Sequence, residues 1–147
     1  MKYYNQDYFP DKSDYQCPPK DAIKYEGMIY RFSKKSDKTD KEDWISVAKR
    51  GRKYEEWKFD NDYTKMCQSS GYSCYLSEQQ ARDAYNEMTK GNRGLKRKFR
   101  SFYSLHVNKL DGVILDTSNP EKGYRHFTFW LNYKSNIVEQ NFSVTKW

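Results

Sequence analysis

An α+β fold with a largely antiparallel sheet is predicted by three observations. Strand-like segments with alternating apolar residues fill the second half of the chain. A capped, amphipathic helix occupies its middle. The elements run as one strand, then helices, then strands, without the regular strand–helix alternation of a parallel sheet. The 147 residues are the size of one domain, 1–147, with residues 1–20 read as an extended N-terminal arm or a first irregular layer.

Each element follows from its residues. The arm is polar and aromatic and ends in Cys17-Pro18-Pro19. "EGMIYRFS" (26–33) is a short apolar run after Gly27, rich in β-branched and aromatic residues, and reads as a strand. "KKSDKTDKED" (34–43) is wholly charged and polar, hence an exposed loop. A helix is expected from Asp43, with Trp44, Val47 and Ala48 on one face and Gly51 as its stop. "KRGRKYEEWKFDNDY" shows no clear period. "YSCYL" then reads as a strand, and Ser77 as the N-cap of a helix with Gln80 as its capping-box partner. Ala81, Ala84, Tyr85 and Met88 form that helix's apolar face, and Gly91 is its C′ residue. A basic stretch, "GNRGLKRKFR", follows. "FYSLHV" (102–107) alternates, with Tyr103, Leu105 and Val107 on one face. Asp111-Gly112 is a turn ahead of Val113-Ile114-Leu115. "HFTFWLN" (126–132) and "NIVEQNFSV" (136–144) read as a final hairpin.

Composition narrows the function classes. Only 36% of the chain is hydrophobic, and half of that is aromatic, with fourteen tyrosines. Tyrosine combines a large apolar ring with a polar tip, which suits half-buried sheets and binding surfaces. Such aromatic content argues against disorder. The net charge of +7 favours contact with nucleic acid, acidic proteins or phosphorylated ligands. Three cysteines (Cys17, Cys67 and Cys74) give no disulfide framework, and with no CxxC pair and two histidines a zinc site is poorly supplied. "MKYYNQDYFP" has no apolar core of a secretory signal, and no run is apolar enough to span a membrane. The expectation is a cytoplasmic protein with reduced thiols.

Five residues stand out as site candidates. Arg31 lies between Tyr30 and Phe32 on the first strand, either as an exposed residue packing its stem or as a buried fork for phosphate oxygens. Gly51-Arg52 is either an anion-presenting turn or the basic end of a helix. Tyr75 precedes the capped helix, where it either packs on that helix or stacks on a flat ring. Glu87 is a solvated helix residue or a carboxylate near a pocket. Glu139 is the second acidic candidate, on the expected last strand.

"IYRF" with Arg31, "GRKY" with Gly51 and Arg52, "YSCYLS" with Tyr75 and "EQQARDAYNE" ending in Glu87 occur in that order. Over residues 28–117 this pattern resembles the ADP-ribosyltransferase-like superfamily, and within it the RES-domain toxins. The resemblance implies NAD as the consumed cosubstrate. Arg31 and Arg52 would hold its pyrophosphate, and Tyr75 would stack on nicotinamide. Glu87 or Glu139 would stabilise the positive charge that develops on the ribose as nicotinamide leaves. Two other readings stand beside it. The basic stretches and many tyrosines fit a nucleic-acid-binding module without catalysis. Tyrosine and tryptophan enrichment also fits a small inhibitor or immunity-type protein docking on an acidic partner.

Overall fold

Alternation along residues 27–33 sets the first half of the architecture. Ile29, Arg31 and Ser33 are buried on one face of β2 (Gly27–Ser33), while the intervening residues are less covered. In the computed structural model, which describes residues 2–147, β2 pairs antiparallel with β4 (Ser101–Val107), placing Arg31 opposite Tyr103. The short β7 (Thr145–Lys146) lies on the far side of β4, so this sheet has the order β2-β4-β7. A second antiparallel sheet is formed by β1 (Ile23–Lys24), β5 (Gly112–Asp116), β6 (Phe127–Leu131) and β3 (Tyr72–Cys74), in that spatial order. The expected α+β arrangement with a split antiparallel sheet is therefore present.

The main core lies between the sheets. Ile29, Tyr103, Leu105 and Val107 face Tyr72, Cys74, Ile114, Phe127, Phe129 and Leu131. Burying side chains of this size contributes about 1.5–3 kcal/mol each, the dominant favourable term of folding. One pair of backbone hydrogen bonds bridges the sheets. Tyr30 N–H donates to the Tyr75 carbonyl at 2.8 Å, and Tyr75 N–H returns a bond to Tyr30 at 2.9 Å. Beyond that bridge β2 and β3 diverge. Gly112 permits the tight β5–β6 pairing, because a Cβ there would collide with the Trp130 carbonyl.

Helices fill the long connections. Ser77 caps α4 (Glu78–Thr89) by accepting from Gln80 N–H at 3.1 Å, as the sequence predicts. The Gln80 side chain does not complete a capping box. Its Oε1 instead accepts from Arg125 N–H at 2.8 Å, tying the helix start to the loop that leads into β6. Gly91 takes the left-handed conformation expected after the helix, with φ 68°. The basic stretch forms α5 (Arg93–Lys98).

Several expectations are corrected. The first predicted helix is split into a 3-10 turn (Lys41–Trp44) and α1 (Val47–Arg50). Gly51, at φ 92°, then lets the chain restart as α2 (Arg52–Phe59). Asp62 caps α3 (Tyr63–Ser70) by accepting from Lys65 N–H at 3.2 Å. Neither α2 nor α3 is legible as a period, because α2 buries only Tyr54 and the cluster it shares with Ala48 and Met66 is small. Residues 136–144 are no strand. A 3-10 turn (Ile137–Glu139) replaces the hairpin partner of β6, which is flanked by β5 and β3 instead. The expectation of free thiols also fails for two cysteines: Cys17 and Cys67 form a disulfide with Cα atoms 5.7 Å apart, pinning the arm to α3, while Cys74 is free and buried.

The bridge closes a sequence separation of 50 residues. Cross-linking a loop of that size restricts the unfolded chain and stabilises by roughly 2–4 kcal/mol. Replacing Cys17 with Ser is expected to lower the unfolding free energy measured by urea titration by about 2–4 kcal/mol. Reduction of the native protein should reproduce the loss, and adding reductant to the variant should cost nothing more.

Candidate functional site

A cavity of about 400 Å³ opens beside the point where the two sheets part. Its walls combine the ends of β2 and β3, the 3-10 turn at Lys41–Trp44 with the start of α1, and the approach to β6. Arg31 and Tyr75 both line it. The sequence therefore picked two residues, 44 positions apart in number, that the fold brings to one wall.

Arg31 is held there by the interior. It is only 8% exposed. Its Nε donates to the Ser73 carbonyl at 3.0 Å, and its Nη1 to the Asp43 carbonyl at 3.1 Å and the Tyr103 hydroxyl at 3.2 Å. The guanidinium lies 4.3 Å from the Trp44 ring centroid and 5.1 Å from that of Tyr72. No carboxylate pairs with it among the described residues, and Nη2 has no protein acceptor. That arm of the fork is the one left for the cavity. A buried cation without a counter-charge is costly, and an anion in the cavity would offset that cost.

Two further cations border the same space. Lys34 follows β2, and Arg50 ends α1; neither is ion-paired among the described residues. Burial holds the Lys34 ammonium below its ordinary range, and the Arg50 and Lys98 cations push the same way. The opposing carboxylates are Glu42 and Asp43. Asp43 Oδ2 accepts from Asp40 N–H at 3.1 Å in the capping box of the 3-10 turn, while Glu42 reaches Lys35 at 2.9 Å. An apolar wall of Phe32, Ile45, Val47, Met88 and Phe99 faces these groups.

Tyr75 and its neighbours form the polar end. The Tyr75 ring stacks on Phe32 at 5.2 Å and meets the edges of Tyr124 and His126 at 6.3 and 5.8 Å. One role foreseen for it, packing against the following helix, is met through Ala81 and Ala84. Burial raises the pKa of its phenol, which stays protonated. Just before β6, His126 Nε2 lies 3.0 Å from Ser73 Oγ, and its Nδ1 2.8 Å from Thr117 Oγ1. Burial pulls the His126 pKa below its usual value, so the ring is neutral at pH 7.

The other sequence candidates lie elsewhere. Arg52 is the exposed first residue of α2 and does not border the cavity; Arg50, two positions earlier, does. Glu87 lines a separate depression of about 310 Å³ that shares Tyr124 with the cavity, and it faces Lys122 at 3.8 Å. Glu139 ends the 3-10 turn at Ile137–Glu139, exposed and not among the lining residues, where its charge helps raise the Tyr4 pKa after burial. Ser73 and His126 were not singled out by the sequence. The available signal was alternation, since Ser73 and Tyr75 share one face of their strand and His126 precedes the strand that pairs with it. No family profile, curated protein or solved structure matches this chain.

His126 also gives a pH signature. Its pKa lies near 6.5 in the unfolded chain and lower in the folded one. The unfolded state thus takes up a proton first as pH falls, so stability present above pH 6.5 declines below it and levels off beneath the folded value. His126→Gln should flatten this part of the stability profile, measured by urea unfolding between pH 7.5 and 4.5, while slopes from the carboxylates remain.

Proposed function

We propose that this cavity binds a dinucleotide of the NAD type and that the protein is an NAD-consuming, ADP-ribosyltransferase-like enzyme. One observation carries the reading: the unneutralised Arg31 guanidinium and Tyr75 line the same cavity, with Lys34 and Arg50 beside them. A ligand that satisfies this wall needs an anionic group for the three cations and a flat ring for the aromatic end. Its volume falls in the roughly 300–1,000 Å³ range of small-molecule sites. The order of the sequence motifs agrees with this choice of ligand.

In this reading the pyrophosphate takes Arg31 Nη2, Lys34 and Arg50, in place of the Arg52 suggested by the sequence motif. Nicotinamide lies against Tyr75 and Tyr124. Neither Glu87 nor Glu139 borders the cavity, so the carboxylate that meets developing ribose charge is Glu42, the exposed acidic residue on its wall. Arg31 itself is a poor residue for a binding test, because its removal leaves the Ser73 and Asp43 carbonyls and the Tyr103 hydroxyl without their donor.

NAD at a hundredfold excess over its Kd stabilises the folded state by about 2.7 kcal/mol, a rise in melting temperature on the order of 10 °C for a domain of this size. The double variant Lys34→Ala/Arg50→Ala should keep the fold and lose most of that rise. Glu42→Gln should retain the rise and release nicotinamide at least tenfold more slowly. An unchanged melting temperature for the native protein at millimolar NAD removes the reading. A salt-sensitive gain on adding a single-stranded oligonucleotide instead would favour the nucleic-acid module.

A further inference from the structure

Ser73, His126 and Thr117 form a continuous chain of polar atoms at the polar end of the cavity. Ser73 Oγ stands 3.0 Å from His126 Nε2, and His126 Nδ1 stands 2.8 Å from Thr117 Oγ1. Both Ser73 and His126 line the cavity, and Ser73 is exposed to it. These separations are those of a nucleophile, a base and the group that orients the base. The Thr117 hydroxyl has acceptors for its own proton in Thr128 Oγ1 at 2.9 Å and the His126 carbonyl at 3.5 Å. Its oxygen is then free to accept the Nδ1 proton, which leaves Nε2 unprotonated and facing Ser73. The second placement is electrostatic. Arg31 is anchored on the carbonyl of Ser73 itself, so the group that holds the anion and the candidate nucleophile share one residue of backbone.

We infer that Ser73 Oγ is the acceptor nucleophile of this cavity and His126 Nε2 its general base, with Thr117 as the positioning residue. The inference depends on the NAD reading for its electrophile, the ribosyl carbon bonded to nicotinamide. As that carbon–nitrogen bond breaks, its electron pair leaves with nicotinamide, which departs neutral. Ser73 Oγ forms the new carbon–oxygen bond, and its proton passes to His126 Nε2 and on to solvent. The product is an O-linked ADP-ribosyl group on Ser73, formed once per protein molecule, with no oxidant or reductant required.

Three readouts on the full chain test this: the NAD-induced melting shift, the molar yield of nicotinamide, and peptide mass mapping of ADP-ribose. The expected result is a melting shift, one nicotinamide per chain and the adduct on Ser73. Ser73→Ala should keep the shift and lose the adduct. His126→Gln should keep the shift and slow adduct formation about a hundredfold, the usual scale of general-base loss. Thr117→Val should slow it about tenfold and Thr117→Ser restore it, which a purely structural role of Thr117 would not produce. A melting shift without an adduct on Ser73 overturns the inference and leaves NAD binding standing. Many nicotinamides released per chain, with Ser73 unmodified, makes water the acceptor and also overturns it. An adduct formed by His126→Gln at the native rate removes the base. Absence of both shift and adduct discards the inference together with the NAD reading.

Discussion

The guanidinium of Arg31 is the point on which the architecture turns. Three hydrogen bonds join β2 to a carbonyl in β3, a carbonyl in the Lys41–Trp44 turn and a hydroxyl on β4. Among the described residues, no other side chain hydrogen-bonds to both sheets and the 3-10 turn at once. Hydrogen bonds from a charged donor contribute about 1.5–3 kcal/mol each, more than neutral ones. The Trp44 and Tyr72 rings flank the group and replace part of the hydration it gives up. Burying an unneutralised cation carries a cost, and the fold meets it with carbonyl dipoles, an aromatic flank and an open arm toward the cavity.

The cavity follows from the way the sheets divide. One pair of backbone bonds, Tyr30 with Tyr75, joins them, and beyond it β2 and β3 run apart. The space between them stays open where Ser46 from before α1 and Gly71 and Ser73 from around β3 bring small side chains, while larger apolar residues such as Phe32 and Phe99 border it. The helix α4 seals the opposite side through Ala81 and Ala84, which are fully buried and let it approach Tyr75 closely. Rigid strands and a capped helix thus hold the polar groups of the site, an arrangement that keeps their relative positions tight.

Much of this was legible in the sequence, for physical reasons. Strong period-two patterns and an N-cap are local, so β2, β4, β6 and α4 were predicted near their observed bounds. Arg31 stood out because a cation between two aromatics on a strand is unusual, and Tyr75 because it sits at the strand–helix joint. What could not be read depends on long-range partners. α2 and α3 bury narrow stripes against a small cluster and carry no strong period. The segment 136–144 alternates like a strand, yet β6 already has β5 and β3 as neighbours, so it finds no partner there and turns instead. Glu87 was a candidate as a helix carboxylate at the end of the ordered motifs and Glu139 as a carboxylate on an expected strand, and neither borders the cavity. His126 and Ser73 meet only through the β3–β6 register, which no local pattern specifies.

The Cys17–Cys67 bond has a consequence for how the molecule responds to proteases. Every peptide bond from residue 18 to residue 66 lies inside the loop that it closes. That stretch holds β1, β2 with Arg31, the exposed 34–38 segment, the Gly51 joint and the first half of α3. A single nick anywhere within it yields two fragments still joined by sulfur, with the segments around the cavity kept on one molecule. The cut would be invisible on a non-reducing gel and would release the pieces only once a thiol reagent opened the link.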